Sequence, residues 1–501
     1  MVDTMGPLRT FGEEHFGEAY LGDVRRTRSL VDQANRFFRH PSGTLPHKCK
    51  CPKALRRCYD LMKVPAVTHQ AVLEPHVHRT LRLLRQHTGV VLFLHDGTEL
   101  DYSGLKTLHP QLGQIGNSFG KGYECMNSLA VLPKGRTVLG LVSQILHVRP
   151  RVPKDETQVQ RRDRESRESL LWLKAVDNVA EADRRCRRRD GLSGTPAAGE
   201  PLVVDIADRA SDTFEFLDHE DLLGRKYVLR SQHNRGIRVG HDDRGGRTLL
   251  HDHLRGLPEQ GGRRQIELAE REGRPARKAT LAVTWAAVTI LLPENRRGHY
   301  RDQPQKVWAI RVWEPEPPPG VEAVEWFLLT NLPVEAAGNA WEKVEWYCCR
   351  WVIEEFHKAQ KTGCGIEDPQ FTHVERLQPM IALLSVVAAM LLNLRDLSRD
   401  ERLSELPATE VVDEELVEVL SGWRYGERRP LTVREFFRAL ARLGGHQNRK
   451  CDGAPGWLVL WRGWIDLQRM AAGARAARAP RAAPGPSRSG TRGRESSPGS
   501  G

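Results

Sequence analysis

Val90-Val91-Leu92-Phe93-Leu94-His95-Asp96-Gly97 is the stretch on which the fold turns. Five consecutive large apolar residues, two of them β-branched, bounded by a glycine, read as a buried strand. An acid, Asp96, stands two residues after the run. Similar runs recur at Ser128-Leu129-Ala130-Val131, Val138-Leu139-Gly140-Leu141-Val142, Leu202-Val203-Val204 and Tyr227-Val228-Leu229. Between the third and fourth, residues 154–189 are dense in mixed charge with Leu170, Leu171, Leu173 and Val176 at helical spacing, which predicts an exposed helical crossover. Strands joined by helical crossovers define an α/β class.

Outward from this core, residues 1–70 read as short helices, with Val24, Leu30, Val31, Ala34, Phe37 and Phe38 at helical spacing and Arg25, Arg26, Arg28, Arg36 and Arg39 on the other positions. Residues 235–333 alternate as strands, for example Ala279-Thr280-Leu281-Ala282-Val283-Thr284, and interrupt the α/β pattern as a β insertion. A long helix is expected over 334–361 and an all-helical region over 371–470. Residues 471–501 are Ala, Gly, Pro, Ser and Arg with almost no large apolar side chain, so disorder is expected there. Trp457, Trp461 and Trp464, at helical spacing, read as core.

The chain has 501 residues and a formal net charge of +12, which favours a polyanionic partner such as DNA. Its nine cysteines form no spaced framework and no secretory signal precedes Leu8, so reduced thiols and a cytoplasmic location are expected. Residues 380–394 look membrane-like but are shorter than the ~20 residues a bilayer span needs. A buried core helix is the reading, and no membrane is expected. His47-Lys48-Cys49-Lys50-Cys51, with Cys58, lacks the spacing of a zinc knuckle.

Asp96 and Asp208 each follow an apolar run, where the carboxyl ends of strands in α/β sheets line ligand-binding crevices. Taken singly, an Asp at such a place is more often a cap or turn residue, and Asp205 and Asp212 fit that plain role. The sharper signal is Tyr347-Cys348-Cys349-Arg350-Trp351-Val352-Ile353-Glu354-Glu355-Phe356-His357-Lys358-Ala359-Gln360-Lys361. At about 100° per residue, Tyr347, Arg350, Glu354 and Lys361 share a stripe about 60° wide, and Lys358 lies beside it. A solvated i,i+4 ion pair accounts for Arg350 and Glu354 alone. A Tyr and three cations around one acid suit a metal-carboxylate site with phosphate grips.

The Tyr347, Arg350, Glu354, Lys361 pattern resembles the Tyr-Arg-Glu-Lys signature of bacterial cut-and-paste DDE transposases in the family named after insertion sequence four. Further segments resemble that family in its order: Leu21-Gly22-Asp23-Val24-Arg25-Arg26-Thr27, His95-Asp96-Gly97-Thr98, Asp208-Arg209-Ala210-Ser211-Asp212, Trp326-Phe327-Leu328-Leu329-Thr330 and Ala441-Arg442-Leu443-Gly444-Gly445. The resemblance covers the chain to about residue 470. It implies a ribonuclease-H-like catalytic core over 71–370 with the β insertion, an element-end-binding domain over 1–70, and a dimerisation domain over 371–470. It further implies that Asp96, Asp208 and Glu354 hold two divalent ions, Mg²⁺ or in its place Mn²⁺. One site would nick double-stranded DNA, form and reopen a hairpin, and join the 3′-OH to target DNA, in a homodimer at the nucleoid. Trp326 would stack on a flipped base, Arg230 would contact DNA, and Tyr347, Arg350, Lys358 and Lys361 would hold phosphate. The adjacent Cys348 and Cys349 depart from the signature. Two alternatives stand beside this reading: a nuclease that cuts without joining, and an inactive transposase relic that only binds DNA.

Overall fold

The computed structural model describes residues 11–116, 119–152, 155–194, 197–242, 244–268, 277–293, 300–449 and 453–478. Most of the tail expected to be disordered lies outside them, but its first part does not: the helix Trp457–Arg478 runs on past residue 471. The composition that looked unable to order is rich in Ala and Arg, both strong helix formers, so an existing helix extends into it easily.

Twelve strands stand in chain order: β1 (Val90–Asp101), β2 (Gly113–Ile115), β3 (Gly120–Leu132), β4 (Thr137–His147), β5 (Leu202–Ala207), β6 (Lys226–Arg230), β7 (Gly236–Val239), β8 (Arg247–Leu249), β9 (Arg263–Leu268), β10 (Arg277–Ile290), β11 (Gln305–Trp313) and β12 (Glu325–Thr330). They form one mixed, mostly antiparallel sheet flanked by helices, and the class is α/β as read. β4, β3 and β1 pair antiparallel, whereas β1 with β5 and β5 with β6 pair parallel. The crossover to β5 passes through the helix Leu171–Arg189, which buries Leu171, Trp172, Ala175, Val176, Val179 and Ala182 against the sheet.

Residues 235–333, expected as a β insertion, continue the main sheet. β12 pairs with β6 and continues the sheet through β11 and β10, so the second strand-rich segment is its extended far edge. The helix His69–Arg85 lies across the expected boundary at residue 70 and packs on β4, on the helix Phe11–Phe16 and on the helix Val374–Arg399. The larger apolar cluster reaches from Phe11 through the sheet to Ala471, and a smaller one gathers Leu171, Trp172, Phe216, Leu217 and Leu254.

Val374–Arg399 is long and apolar enough to cross a membrane, yet 94% of its most hydrophobic window is buried inside the protein. Its apolarity on all sides is explained by packing on several elements at once. Trp457, Trp461 and Trp464 are buried beside it, as expected of core residues.

Candidate active site

Parallel pairing of β1 with β5 ends at Leu94 opposite Ile206. Two residues further along each chain, the same register brings Asp96 level with Asp208, and side-chain alternation puts both on one face of the sheet. Asp96 does not end its strand, contrary to expectation. β1 continues to Asp101 because its other neighbour, β3, pairs with it through Asp101 opposite Gly122, well past the point where β5 stops. Asp208 leaves β5 and starts a single turn over Arg209–Ser211, its Oδ1 accepting from the Ala210 N–H at 2.7 Å. The α-helix expected from Ser211 begins only at Phe214. Asp208 is therefore both a turn residue and an acid on the rim.

The expected long helix over 334–361 is three pieces: Ala337–Cys348, Trp351–Lys358 and a π turn over Ala359–Gly363. Between the first two, the N–H groups of Cys349, Arg350, Val352 and Ile353 bond to carbonyls three residues back, at 3.0 to 3.1 Å. Tightening of this kind, followed by widening, rotates side chains off a uniform 100° stripe. Arg350 and Glu354 stay together: the Arg350 fork donates through Nη2 to Glu354 and through Nη1 to Asp96 Oδ2 at 3.0 Å. The Gly97 N–H donates to the other Asp96 oxygen at 3.0 Å.

Lys361 is carried away from that fork by the π turn and faces the far end of β1, its Nζ 3.9 Å from Glu367 Oε1. Lys358 is exposed, with no ion pair among the described residues. The predicted stripe of Tyr347, Arg350, Glu354 and Lys361 is thus divided by the π turn. One part holds Tyr347, Arg350 and Glu354, and the other holds Lys361.

Tyr347 is buried, edge-on to half-buried Trp326 with ring centroids 6.1 Å apart. Burial raises the pKa of its hydroxyl, against the pull of Arg350 and Arg230. Arg230 in turn is lowered by burial, favoured by Tyr347, and opposed by Arg209 and Arg350. These mutual effects place Arg209, Arg230 and Arg350 on one positive rim beside the acids. Arg209 had been read only as part of a motif.

Asp96 is pushed up to about 7, chiefly by burial; Arg350 opposes that rise, while Asp208 and Glu354 add to it. Three carboxylates in electrostatic reach of one another, all oxygen donors, are the set a hard divalent cation prefers, and their repulsion is what a cation would relieve. Their oxygens do not all lie within 4.8 Å of one another; the Arg350 guanidinium occupies the space between Asp96 and Glu354. Among the described residues, the group that does meet that spacing is His78, Cys186 and Asp190. There Asp190 is already held by Arg82 at 2.7 Å and Arg85 at 3.3 Å, so its charge is satisfied by guanidinium groups. Cys49, Cys51 and Cys58 make no metal cluster either: Cys49 and Cys58 are buried, and exposed Cys51 caps a helix through a 3.4 Å contact with the Ala54 N–H.

The opposite face of β1 and β5 holds a polar strut that went unread. His95 Nε2 donates to Asp205 at 2.8 Å, its Nδ1 meets the Ser128 hydroxyl at 2.8 Å, and Arg225 donates to both Asp205 oxygens at 2.6 and 2.7 Å. His95 directly precedes Asp96 in β1 and Asp205 stands three residues before Asp208, so the strut ties together the two strands that carry the acids. A histidine at a buried position of an otherwise apolar strand was the available signal, since a buried polar ring demands partners. Asp212, read as structural, accepts from the Gln232 and His233 N–H groups at 2.6 and 3.0 Å and pairs with Arg235.

Glu220 lies against this strut with neither carboxylate oxygen hydrogen-bonded. Burial, and then the charge of Asp205, raise its pKa well above the ordinary value, while Arg225 opposes the rise. A carboxyl with a raised folded pKa stabilises fully below its unfolded value of about 4.3 and loses that contribution as pH climbs. Its contribution should therefore decline as pH rises above about 4.5, and Glu220→Gln should flatten that decline. Thermal midpoints of both proteins across that range give the comparison; parallel curves would show that Glu220 is not held protonated.

No family model matches the chain.

Proposed function

We propose that this chain is a metal-dependent enzyme that transfers phosphoryl groups on DNA. Within that class, we read it as a cut-and-paste DDE transposase with a ribonuclease-H-like core, similar to the family named after insertion sequence four. The strand order β4-β3-β1-β5-β6, three antiparallel strands followed by two parallel ones, supports that core. The observation that carries the reading is the alignment of Asp96 with Asp208 across β1 and β5, with Glu354 joined to Asp96 through Arg350.

Asp96, Asp208 and Glu354 would hold two divalent ions, Mg²⁺ or Mn²⁺, which when bound neutralise charge on the attacking and leaving oxygens. Arg350 then has a second task. Its planar fork can leave the carboxylates for a phosphate, with Arg230 and the Tyr347 hydroxyl beside it. Trp326, half-buried against Tyr347, offers a ring for an unstacked base, a contact worth about 1 to 3 kcal/mol. Exposed Lys358 and the Lys361 side chain extend the basic surface along duplex DNA. A homodimer on paired element ends belongs to the same reading.

A second reading, a relic that binds DNA without cutting it, draws support from the same Arg350 fork, because that fork engages two of the three acids. Purified protein incubated with Mg²⁺ and a labelled duplex carrying the DNA ends that flank its gene separates the two. A nick leaving a 3′-OH, followed by a hairpin, is the expected product. Tight binding with no nick in either Mg²⁺ or Mn²⁺ would give the case to the relic.

A further inference from the structure

A cleft of about 630 Å³ opens at the end of the helix Val374–Arg399, far from any residue of the proposed chemistry in sequence. Its walls carry Arg399, Arg424, Arg434, Arg438 and Arg449, with Tyr425 among them, against the two acids Asp400 and Glu401. Asp400 does little to neutralise the wall, since Arg402 holds it at 2.7 Å. Arg434 pairs with Glu405 at 3.0 Å. Arg424 and Arg438 are exposed and have no carboxylate partner among the described residues. The Arg424 and Arg429 guanidinium groups lie 5.5 and 4.1 Å from the Tyr425 ring, which orients an aromatic among cations. Arg399 stands exposed on this wall, its Nη2 donating to the Pro455 carbonyl at 3.4 Å.

The helix Val374–Arg399 ties the end of this cleft to the helix that carries Glu354. Arg395, one helical turn before Arg399, pairs with Glu355, the neighbour of Glu354. We propose that this cleft binds the phosphodiester backbone of DNA, as a second contact behind the helix that carries Glu354. Arginine forks match phosphate geometry, and cations outnumber acids on these walls. Free polyphosphate shares that chemistry, but five arginines spread along a cleft of about 630 Å³ favour a strand that meets several of them in turn. The inference stands without cleavage: a chain that fills this cleft and cuts nothing would keep it.

The test is fluorescence anisotropy of the full chain with a labelled duplex of arbitrary sequence, in chelator, over a range of salt. Arg424→Glu and Arg438→Glu should each weaken binding about fivefold and lower the slope of log affinity against log salt by about 1, as loss of a phosphate contact does. Arg247→Glu, the same charge change at an exposed site on β8, is the control. Thermal melts verify folding, and Arg424→Gln and Arg438→Gln should show the same loss in smaller degree. Cleft variants no weaker than the control would overturn the proposal. So would tripolyphosphate displacing DNA from wild type at equal phosphate concentration, which would make the cleft a small-anion site. Nicking lost with this binding intact counts against the catalytic reading alone.

Discussion

Asp96→Ala, Asp208→Ala and Glu354→Ala are each expected to lower nicking at least about 10³-fold, a loss of about 4 kcal/mol of transition-state stabilisation, with duplex binding held within about twofold. Binding survives because phosphate contacts by Arg and Lys supply most of the affinity, and none of the three acids contributes to it. Removing one acid relieves repulsion among the three but also takes an acceptor from Arg350 or from the Ala210 N–H, so the two effects oppose each other and thermal melts in chelator verify that each variant is folded. Adding Mg²⁺ should raise the wild-type midpoint, because an ion bound only by the folded state stabilises it, and that rise should vanish in each variant. Undiminished nicking by any one of the three would remove the assignment. A midpoint that Mg²⁺ leaves unmoved in wild type would remove the metal site.

Much of this arrangement is visible in one dimension because it depends on local signals. The apolar runs at 90–94 and 202–204 mark strands, and an acid after each is readable at once, whereas their parallel pairing is not. The Arg350 to Glu354 spacing gives their ion pair, and the length of the apolar stretch within Val374–Arg399 gives a core helix. What was not readable is set by distant partners. Gly97-Thr98-Glu99-Leu100-Asp101 is too polar to look like strand, and only pairing with β3 makes it one. The tightened turn at Arg350 and the π turn at Ala359–Gly363 leave no mark on hydrophobic period, so the sequence presents 334–361 as one uniform helix. The joining of β12 to β6 is likewise a long-range choice. Strand alternation in 235–333 identifies strands but not the sheet they enter.

Asp205→Ala is the variant expected to damage the framework most. Asp205 is fully buried and Arg225 is largely so; deleting the carboxylate leaves a buried guanidinium and the His95 N–H without their acceptor. Breaking a buried pair from one side costs about 3 to 5 kcal/mol. Burial alone would raise the Asp205 pKa, but the charge of Arg225 and then His95 outweigh it and hold the acid below the ordinary carboxylate range. With a depressed folded pKa, this contribution is present above about pH 4 and lost as pH falls further, the opposite slope to that of Glu220. Hydrogen exchange at β1 and β5 amides in wild type and Asp205→Ala reads the loss where it occurs. A difference under about 1 kcal/mol would show that the strut bears little load. Replacing both partners, Asp205→Leu with Arg225→Met, should recover most of the stability, since a buried pair exchanged for apolar groups of similar volume is often neutral. If nicking stays depressed in that stable double variant, the strut's role is to hold Asp96 level with Asp208. If nicking returns with stability, packing alone sets the register and the ion pair is dispensable to it.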